Sequence, residues 1–317
     1  MQKIKQKRSL RDYIKLYFSG VLMGSADLVP GVSGGTMAFI LGIYEELISA
    51  ISSINKELIT KVLKFKIKDI LKTFPWQFLT VLGFGIVTAI LSLSHGLEYL
   101  LKNQPIYIWS FFTGLILASV PTISSRVKKW EIKPYLFFAF GAVFAFVLVG
   151  LAPSKTPDTP LFILLSGALA SMAMILPGIS GSFILVLLGK YETVLSAVNN
   201  RDFITVGLVA LGAALGLIVF SKLLKYVFDN YHDLAVSLLA GFVLGAVRKI
   251  WPFQIVKTLG EVCEPVNGIT LNCVKHTESV SSLPNLYNTE HLLGILLISF
   301  GALFVYFINK MAVKNPN

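Results

Sequence analysis

Charge is scarce in this chain. Only 14% of its 317 residues are Asp, Glu, Lys or Arg, where a soluble domain carries roughly 25%, so an ordinary water-soluble enzyme is excluded. Cysteine is scarcer: Cys263 and Cys273 are too few for a disulfide scaffold or a four-ligand zinc site. Ten positions apart, they form either one disulfide or two separate thiols. His95, His232, His276 and His291 show no metal-ligand spacing, and no cofactor is indicated. Acidic residues number 17 against 28 basic ones. The basic residues cluster between apolar runs, where they set membrane orientation, and nucleic-acid binding finds no support.

Apolar residues make up 55% of the chain. A bilayer crossing needs about 17–25 of them in a row. Windows at 76–95, 103–125, 134–154, 203–221 and 290–309 qualify, and a sixth at 231–248 takes in Tyr231, His232 and Asp233 at the interface. The expected fold class is an all-α polytopic membrane protein. The basic N-terminus leads into an apolar run that holds Asp27 and has no small-residue cleavage site, so it reads as the first membrane element rather than a cleaved signal.

Residues 16–55 and 159–198 break the simple pattern. Each has an apolar arm, a Pro-Gly-x-Ser-Gly break and a second apolar arm. Proline removes a donor and restrains its predecessor, and glycine permits a tight turn, so two short helices meeting at a turn are predicted in each. Lysines and arginines flank the first hairpin on both sides, Lys3 to Lys15 before it and Lys56 to Lys72 after it. The positive-inside rule puts both clusters in the cytoplasm, together with the N- and C-termini, in a plasma-membrane protein. Two full crossings satisfy that pattern as well as re-entry does. The arm at 16–29 favours re-entry, since about 14 residues give roughly 21 Å of helix against a hydrocarbon core near 30 Å.

The two hairpins are also copies. Placing Pro30 on Pro177, an offset of 147, matches Ser33 with Ser180, Gly34 with Gly181, Gly42 with Gly189, Tyr44 with Tyr191 and Glu45 with Glu192. FLTV at 78–81 then pairs with FITV at 203–206, and FFTGLILASV at 111–120 with LLAGFVLGAV at 238–247. Two halves are predicted. Residues 1–152 hold the first hairpin and the helices 76–95, 103–125 and 134–154. Residues 153–317 hold the second hairpin, the helices 203–221, 231–248 and 290–309, and an exterior loop at 251–289. Three crossings separate the hairpins, so the second half is inverted relative to the first, a recurring transporter architecture.

Each break supplies a helix start. Gly31, Ser33, Gly34, Gly35 and Thr36 follow Pro30; Gly178, Ser180, Gly181 and Ser182 follow Pro177. Unpaired backbone N–H groups and hydroxyls at such a start suit an anion, phosphate above all. The other reading is that Ser33 and Ser180 cap their own helices while the glycines allow tight crossing. Asp27, three positions before Pro30, is an acid at membrane depth and a candidate for proton or Na+ coupling. Glu45 and Glu192 are either solvated helix ends or further coupling or gating groups. Arg201 and Arg248 are the candidate positive partners for the anion, with interfacial anchoring as the alternative for each.

The segments GSADLVPGVSGGTMAFILGIYEELI at 24–48 and LPGISGSFILVLLGKYETVLSA at 176–197 resemble the DUF368 family of bacterial and archaeal membrane proteins over nearly the whole chain. The resemblance implies translocation of undecaprenyl phosphate across the cytoplasmic membrane for carrier-lipid recycling, with that lipid as the partner and no enzymatic activity. It also implies site roles for Asp27, Pro30, Gly31, Ser33, Gly34, Gly35, Thr36, Pro177, Gly178, Ser180, Gly181 and Ser182. The residues alone support an anion-handling inverted-repeat transporter. A small-anion transporter or channel, a lipid-phosphate enzyme and a structural subunit are the rival classes.

Overall fold

The computed structural model describes residues 8–29, 31–154, 156–266 and 270–313, the side chains of 256–279 and 311–313 excepted. Pro30 therefore lies outside the described residues. The elements in order are α1 (Leu10–Asp27), α2 (Gly34–Ile40), α3 (Tyr44–Ser52), α4 (Lys56–Leu63), α5 (Ile67–Thr73), α6 (Trp76–Asn103) and α7 (Pro105–Ser124). There follow α8 (Ile132–Leu148), α9 (Pro160–Ile175), α10 (Gly181–Leu187), α11 (Tyr191–Asn199), α12 (Phe203–Ile250), β1 (Gln254–Val266), β2 (Thr270–Ser281) and α13 (Thr289–Val313).

Helices α6, α7, α12 and α13 are long and apolar enough to cross a membrane, and α8 and α9 are shorter apolar helices of 17 and 16 residues. The chain is a multi-pass α-helical membrane protein. Local chemistry sets the helix starts. Ser9 and Asp12 form a capping box at α1, with the Ser9 N–H donating to Asp12 Oδ2 at 2.9 Å. Proline occupies the first turn of α7 and α9, where its missing N–H costs nothing. Asp202 caps α12 through the N–H groups of Ile204 and Thr205, both at 3.2 Å.

Glycine decides which helices meet. A Cβ added at Gly20 of α1 would strike the Leu82 carbonyl oxygen of α6, and one at Gly24 would come within 2.7 Å of the Ile86 oxygen. The contacts advance together along both helices, so α1 and α6 run parallel from one end of the fold. The first half of α12 lies on α9 in the same way, Gly167 against Val209 and Gly212 against Leu164. Helix α7 packs on α13 through Gly114 against Ile298 and Gly301 against Phe111. Helix α8 packs on the second half of α12 through Gly241 against Phe138 and Gly141 against Leu238. Backbones this close gain van der Waals contact where lipid tails supply no hydrophobic drive.

Four expectations change. The span expected at 203–221 continues to residue 230, where it meets the span expected at 231–248; the two helices of α12 join at Tyr231, whose backbone is not helical (φ −137°, ψ 45°). No glycine or proline lies between 222 and 230 to stop it, and lysines can extend a helix past the interface. Helix α6 similarly runs past residue 95 to Asn103, just before Pro105. The second arm of each hairpin is not one helix: α2 and α3 are bent by 119°, and α10 and α11 by 109°. Gly42 and Gly189 sit at these bends with φ of 78° and 65°, a left-handed backbone open to glycine at little cost. Finally, the loop at 251–289 contains an antiparallel two-stranded ribbon whose register sets Cys263 opposite Cys273; those two side chains lie outside the described set.

Candidate functional site

The two Pro-Gly turns are in contact inside the helical bundle. Gly31 and Gly178 open them with φ of 85° and 86°, so each chain reverses at the same place and in the same hand. Thr36 Oγ1 accepts from the Gly178 N–H at 2.9 Å, and Ser33 Oγ donates to the Leu176 carbonyl at 3.2 Å. A Cβ at Gly35 would come within 2.5 Å of the Ile175 oxygen. Of the candidates, Ser33, Gly34, Gly35, Thr36, Gly178 and Ser180 are thus brought to one place.

The turns are chemically unequal. In the first, Asp27 Oδ1 accepts from the Gly34 N–H at 2.7 Å, and Ser33 Oγ accepts from the Gly35 N–H at 3.1 Å. The expectation of bare amide donors at this turn is corrected: the carboxylate of Asp27 and the hydroxyl of Ser33 already hold them. In the second turn Met174 stands at the position of Asp27 and has no carboxylate to offer. Ser180 Oγ accepts from the Phe183 N–H at 3.2 Å and lies 3.3 Å from Ser182 Oγ. The Gly181 and Ser182 N–H groups have no hydrogen-bond acceptor among the described residues. Every residue of α2 is buried, and none of α10 is. Ser182 is exposed.

The cation beside the turns is Lys249, which the sequence offers beside Arg248 but does not favour over it. The Lys249 stem passes Gly31, where an added Cβ would lie 3.1 Å from its Cγ, and its ammonium lies 5.1 Å from the centre of the Phe183 ring. Lys249 therefore reaches from one turn to the helix following the other. Arg248 turns away: its guanidinium donates to the Phe146 carbonyl at 3.0 Å and stacks over the Phe146 ring. Arg201 is exposed in the loop between α11 and α12 with φ of 57°. Neither arginine is brought to the turns. The sequence could not rank Lys249 against Arg248, since a one-residue step along a helix turns a side chain by roughly 100°.

Glu45 lies at the bend of the first hairpin, away from the turns. Its carboxylate is 3.2 Å from His232 Nε2. Asp233 accepts from the Lys128 and Lys129 N–H groups at 3.2 and 3.1 Å, and Arg126 donates to the Phe39 carbonyl at 2.8 Å. Three segments distant in sequence are thereby tied around one bend. Spacing in the sequence gave no sign of it. At the other bend Glu192 is exposed, and buried Lys190 donates to the Thr156 carbonyl at 2.6 Å and pairs with Asp158. A cavity of about 320 Å³ at the α7–α13 crossing, lined by Ala118, Thr122 and Tyr306 among others, does not include the turns. No cluster of three or more metal-ligating side chains occurs among the described residues.

Fold and site together define a multi-pass α-helical membrane protein in which two Pro-Gly turns, distant in sequence, touch. Residues 23–263 match the VCA0040-like family, described as undecaprenyl phosphate translocase-like, and the chain belongs to that family. It is 41% identical over 244 residues to a polyprenyl-phosphate transporter of Vibrio cholerae serotype O1, covering 77% of this chain and 79% of the relative. It is 34% identical over 252 residues to a polyprenyl-phosphate transporter of Staphylococcus aureus, covering 74% and 84%. These relatives are named as transporters and not as enzymes. No solved structure matches the chain at a significant level.

Proposed function

We propose that this protein carries a polyprenyl phosphate, undecaprenyl phosphate in the first instance, across the cytoplasmic membrane by alternating access around the two turns. The observation that carries the reading is the contact of the turns through Thr36 and Gly178. One phosphate at that junction can be passed between donors approaching from the two faces of the membrane. The names of the two relatives supply the lipid class.

An inverted duplication supports this reading. On the offset of 147, Gly20 corresponds to Gly167; on 127, Leu82 corresponds to Val209 and Gly114 to Gly241; on 160, Ile298 corresponds to Phe138. Close glycine contacts of residues 1–152 then recur with residues 153–317: Gly20 with Leu82 as Gly167 with Val209, and Gly114 with Ile298 as Gly241 with Phe138. The register differs by two residues from the FLTV and FITV match, which equates Phe78 with Phe203.

Unequal burial of equivalent positions supports alternating access. Tyr44 is 0% exposed and Tyr191 42%; Ile48 is 1% and Leu195 48%. A protein with two related halves in one end state should have one gate shut and the other open. Here the bend tied by Glu45, His232 and Asp233 is shut. With the lysine-rich end in the cytoplasm, the state is closed inward and open outward. The phosphate then meets the hydroxyls of Ser180 and Ser182, the N–H groups of Gly181 and Ser182 and the ammonium of Lys249, while the isoprenoid tail stays in lipid beside α10. Backbone and hydroxyl donors replace part of the hydration the phosphate gives up. Asp27, fixed on Gly34, is the candidate coupling site for a proton or Na+; Glu45 acts as a gate rather than an anion ligand.

The test is reconstitution into vesicles with labelled undecaprenyl phosphate, measuring leaflet exchange and hydrolysis. Exchange without hydrolysis, slowed in Ser33→Ala and Ser180→Ala, is the expected result. Exchange of inorganic phosphate with none of the lipid would replace the reading by a small-anion transporter.

A further inference from the structure

Between the first hairpin and α6 the chain carries an insertion that the second half does without. The sequence offset between the halves falls from 147 at the hairpins to 127 at the following span, a difference of 20 residues. The inserted stretch holds α4 and α5, and its place in the second half is taken by the short loop through Arg201. The fold therefore does not need them.

Nor does the protein cover them. No residue of α4 or α5 is buried. Ile59, Val62, Leu63 and Ile67 are 50, 52, 73 and 60% exposed, and Phe65, at the corner between the helices, is 85% exposed. Interleaved with these are Lys56, Lys61, Lys64, Lys66, Lys68 and Lys72 against only Glu57 and Asp69. Asn55 caps α4 by accepting from the Leu58 N–H at 2.8 Å, so the first helix is specified locally.

Position supplies the partner. Arg8, just before α1, pairs with Glu46 of α3, and Tyr13 of α1 donates to Gln77 of α6 at 2.9 Å. The starts of α1 and α6 thus share one end of the fold, and α4 and α5, joined to α3 and α6, lie at that end. It is the membrane surface from which α1 and α6 both set out.

We propose that α4 and α5 form an interfacial element that lies on this membrane surface, with Leu63, Phe65 and Ile67 inserted among the lipids and the lysines holding anionic headgroups. A short basic amphipathic helix with no apolar partner in its own protein gains both burial and Coulomb attraction at an anionic lipid surface, and neither in water. The element needs no contact with the rest of the chain, in keeping with its exposure.

The experiment uses the full chain with Cys263→Ser and Cys273→Ser, and an environment-sensitive fluorophore on Phe65→Cys. The protein is placed in phosphatidylcholine vesicles, with and without about one third phosphatidylglycerol, and quenching by brominated lipid is read. Quenching is expected in both, about threefold stronger in the anionic vesicles. Changing the six lysines to Gln should abolish the difference, and changing them to Arg should keep it. Leu63→Ser with Phe65→Ser, read by a label on Ile67→Cys, should remove insertion even with the lysines intact. A Phe65→Cys label that stays in water in both vesicles overturns the proposal. So does shielding in detergent that rises with protein concentration, which would mean a second copy covers the helices, and so does equal quenching with and without the lysines. Leaflet exchange does not enter the readout, so this result stands apart from the transport assay.

Discussion

The Asp27 carboxylate holds the Gly34 N–H at 2.7 Å, seven residues on and across the first turn. At the second turn Met174 stands in its place, and the Gly181 N–H has no acceptor among the described residues. A Cβ at Gly34 would lie 2.5 Å from Asp27 Oδ2, so the carboxylate fills the space above that glycine. Asp27→Ala should destabilise the protein by about 1–3 kcal/mol, since it orphans a buried donor. Asp27→Asn keeps an acceptor and should retain most of the stability while slowing leaflet exchange and altering its dependence on Na+ or pH. Thermal unfolding and exchange assays on the pair separate the two roles; equal exchange rates in Asp27→Asn and the parent would remove Asp27 from transport.

Thr36 joins the turns by accepting from the Gly178 N–H. Thr36→Val has nearly the same shape and no acceptor, so it should cost about 1–3 kcal/mol and loosen the junction. Thr36→Ser should restore both stability and exchange. Failure of Ser to rescue would show that the methyl group, and not the hydrogen bond, matters at this position.

Lys249 and Arg248 are neighbours with opposite assignments. Lys249→Gln should weaken binding of labelled polyprenyl phosphate by about tenfold, equivalent to about 1.4 kcal/mol. Arg248→Gln should leave lipid affinity nearly unchanged and lower stability through the lost contacts to Phe146. A binding titration decides it, and the reverse ranking would return the site to Arg248.

Tyr44 and Tyr191 supply a probe of motion. In a background lacking the native cysteines, Ile48→Cys should resist a water-soluble thiol reagent while Leu195→Cys reacts. Freeing the shut bend by Glu45→Gln with His232→Ala should make Ile48→Cys reactive and Leu195→Cys less so. Reactivities that never change in opposite directions would leave alternating access without support.

Much of this was legible in the chain, because membrane spans and helix breakers act locally. Charge scarcity gave the membrane class, and the Pro-Gly motifs gave the breaks between α1 and α2 and between α9 and α10. The bends at Gly42 and Gly189 were visible as matched residues, yet a lone glycine in an apolar run does not announce a reversal. The two helices of α12 were expected, but the run of the first from 221 to 230 was missed because hydropathy marks where lipid ends, not where hydrogen bonding ends. Asp27 was singled out as a buried acid, but its partner Gly34 could only be found once the turn brought the two together. The contact of Glu45 with His232 spans 187 residues, a separation at which spacing carries no information.

The crossing of α7 with α13, and of α8 with the second half of α12, trades helices between residues 1–152 and 153–317. A break of the chain near residue 152 would not yield two self-sufficient pieces, since each would lack the partner of one of its own helices. Co-expressed fragments should assemble where either alone is degraded. Under the proposed alternating access, the bodies that swing are then assembled from both ends of the polypeptide, and the hinge is to be sought at connections such as the Tyr231 kink and not at the midpoint of the sequence.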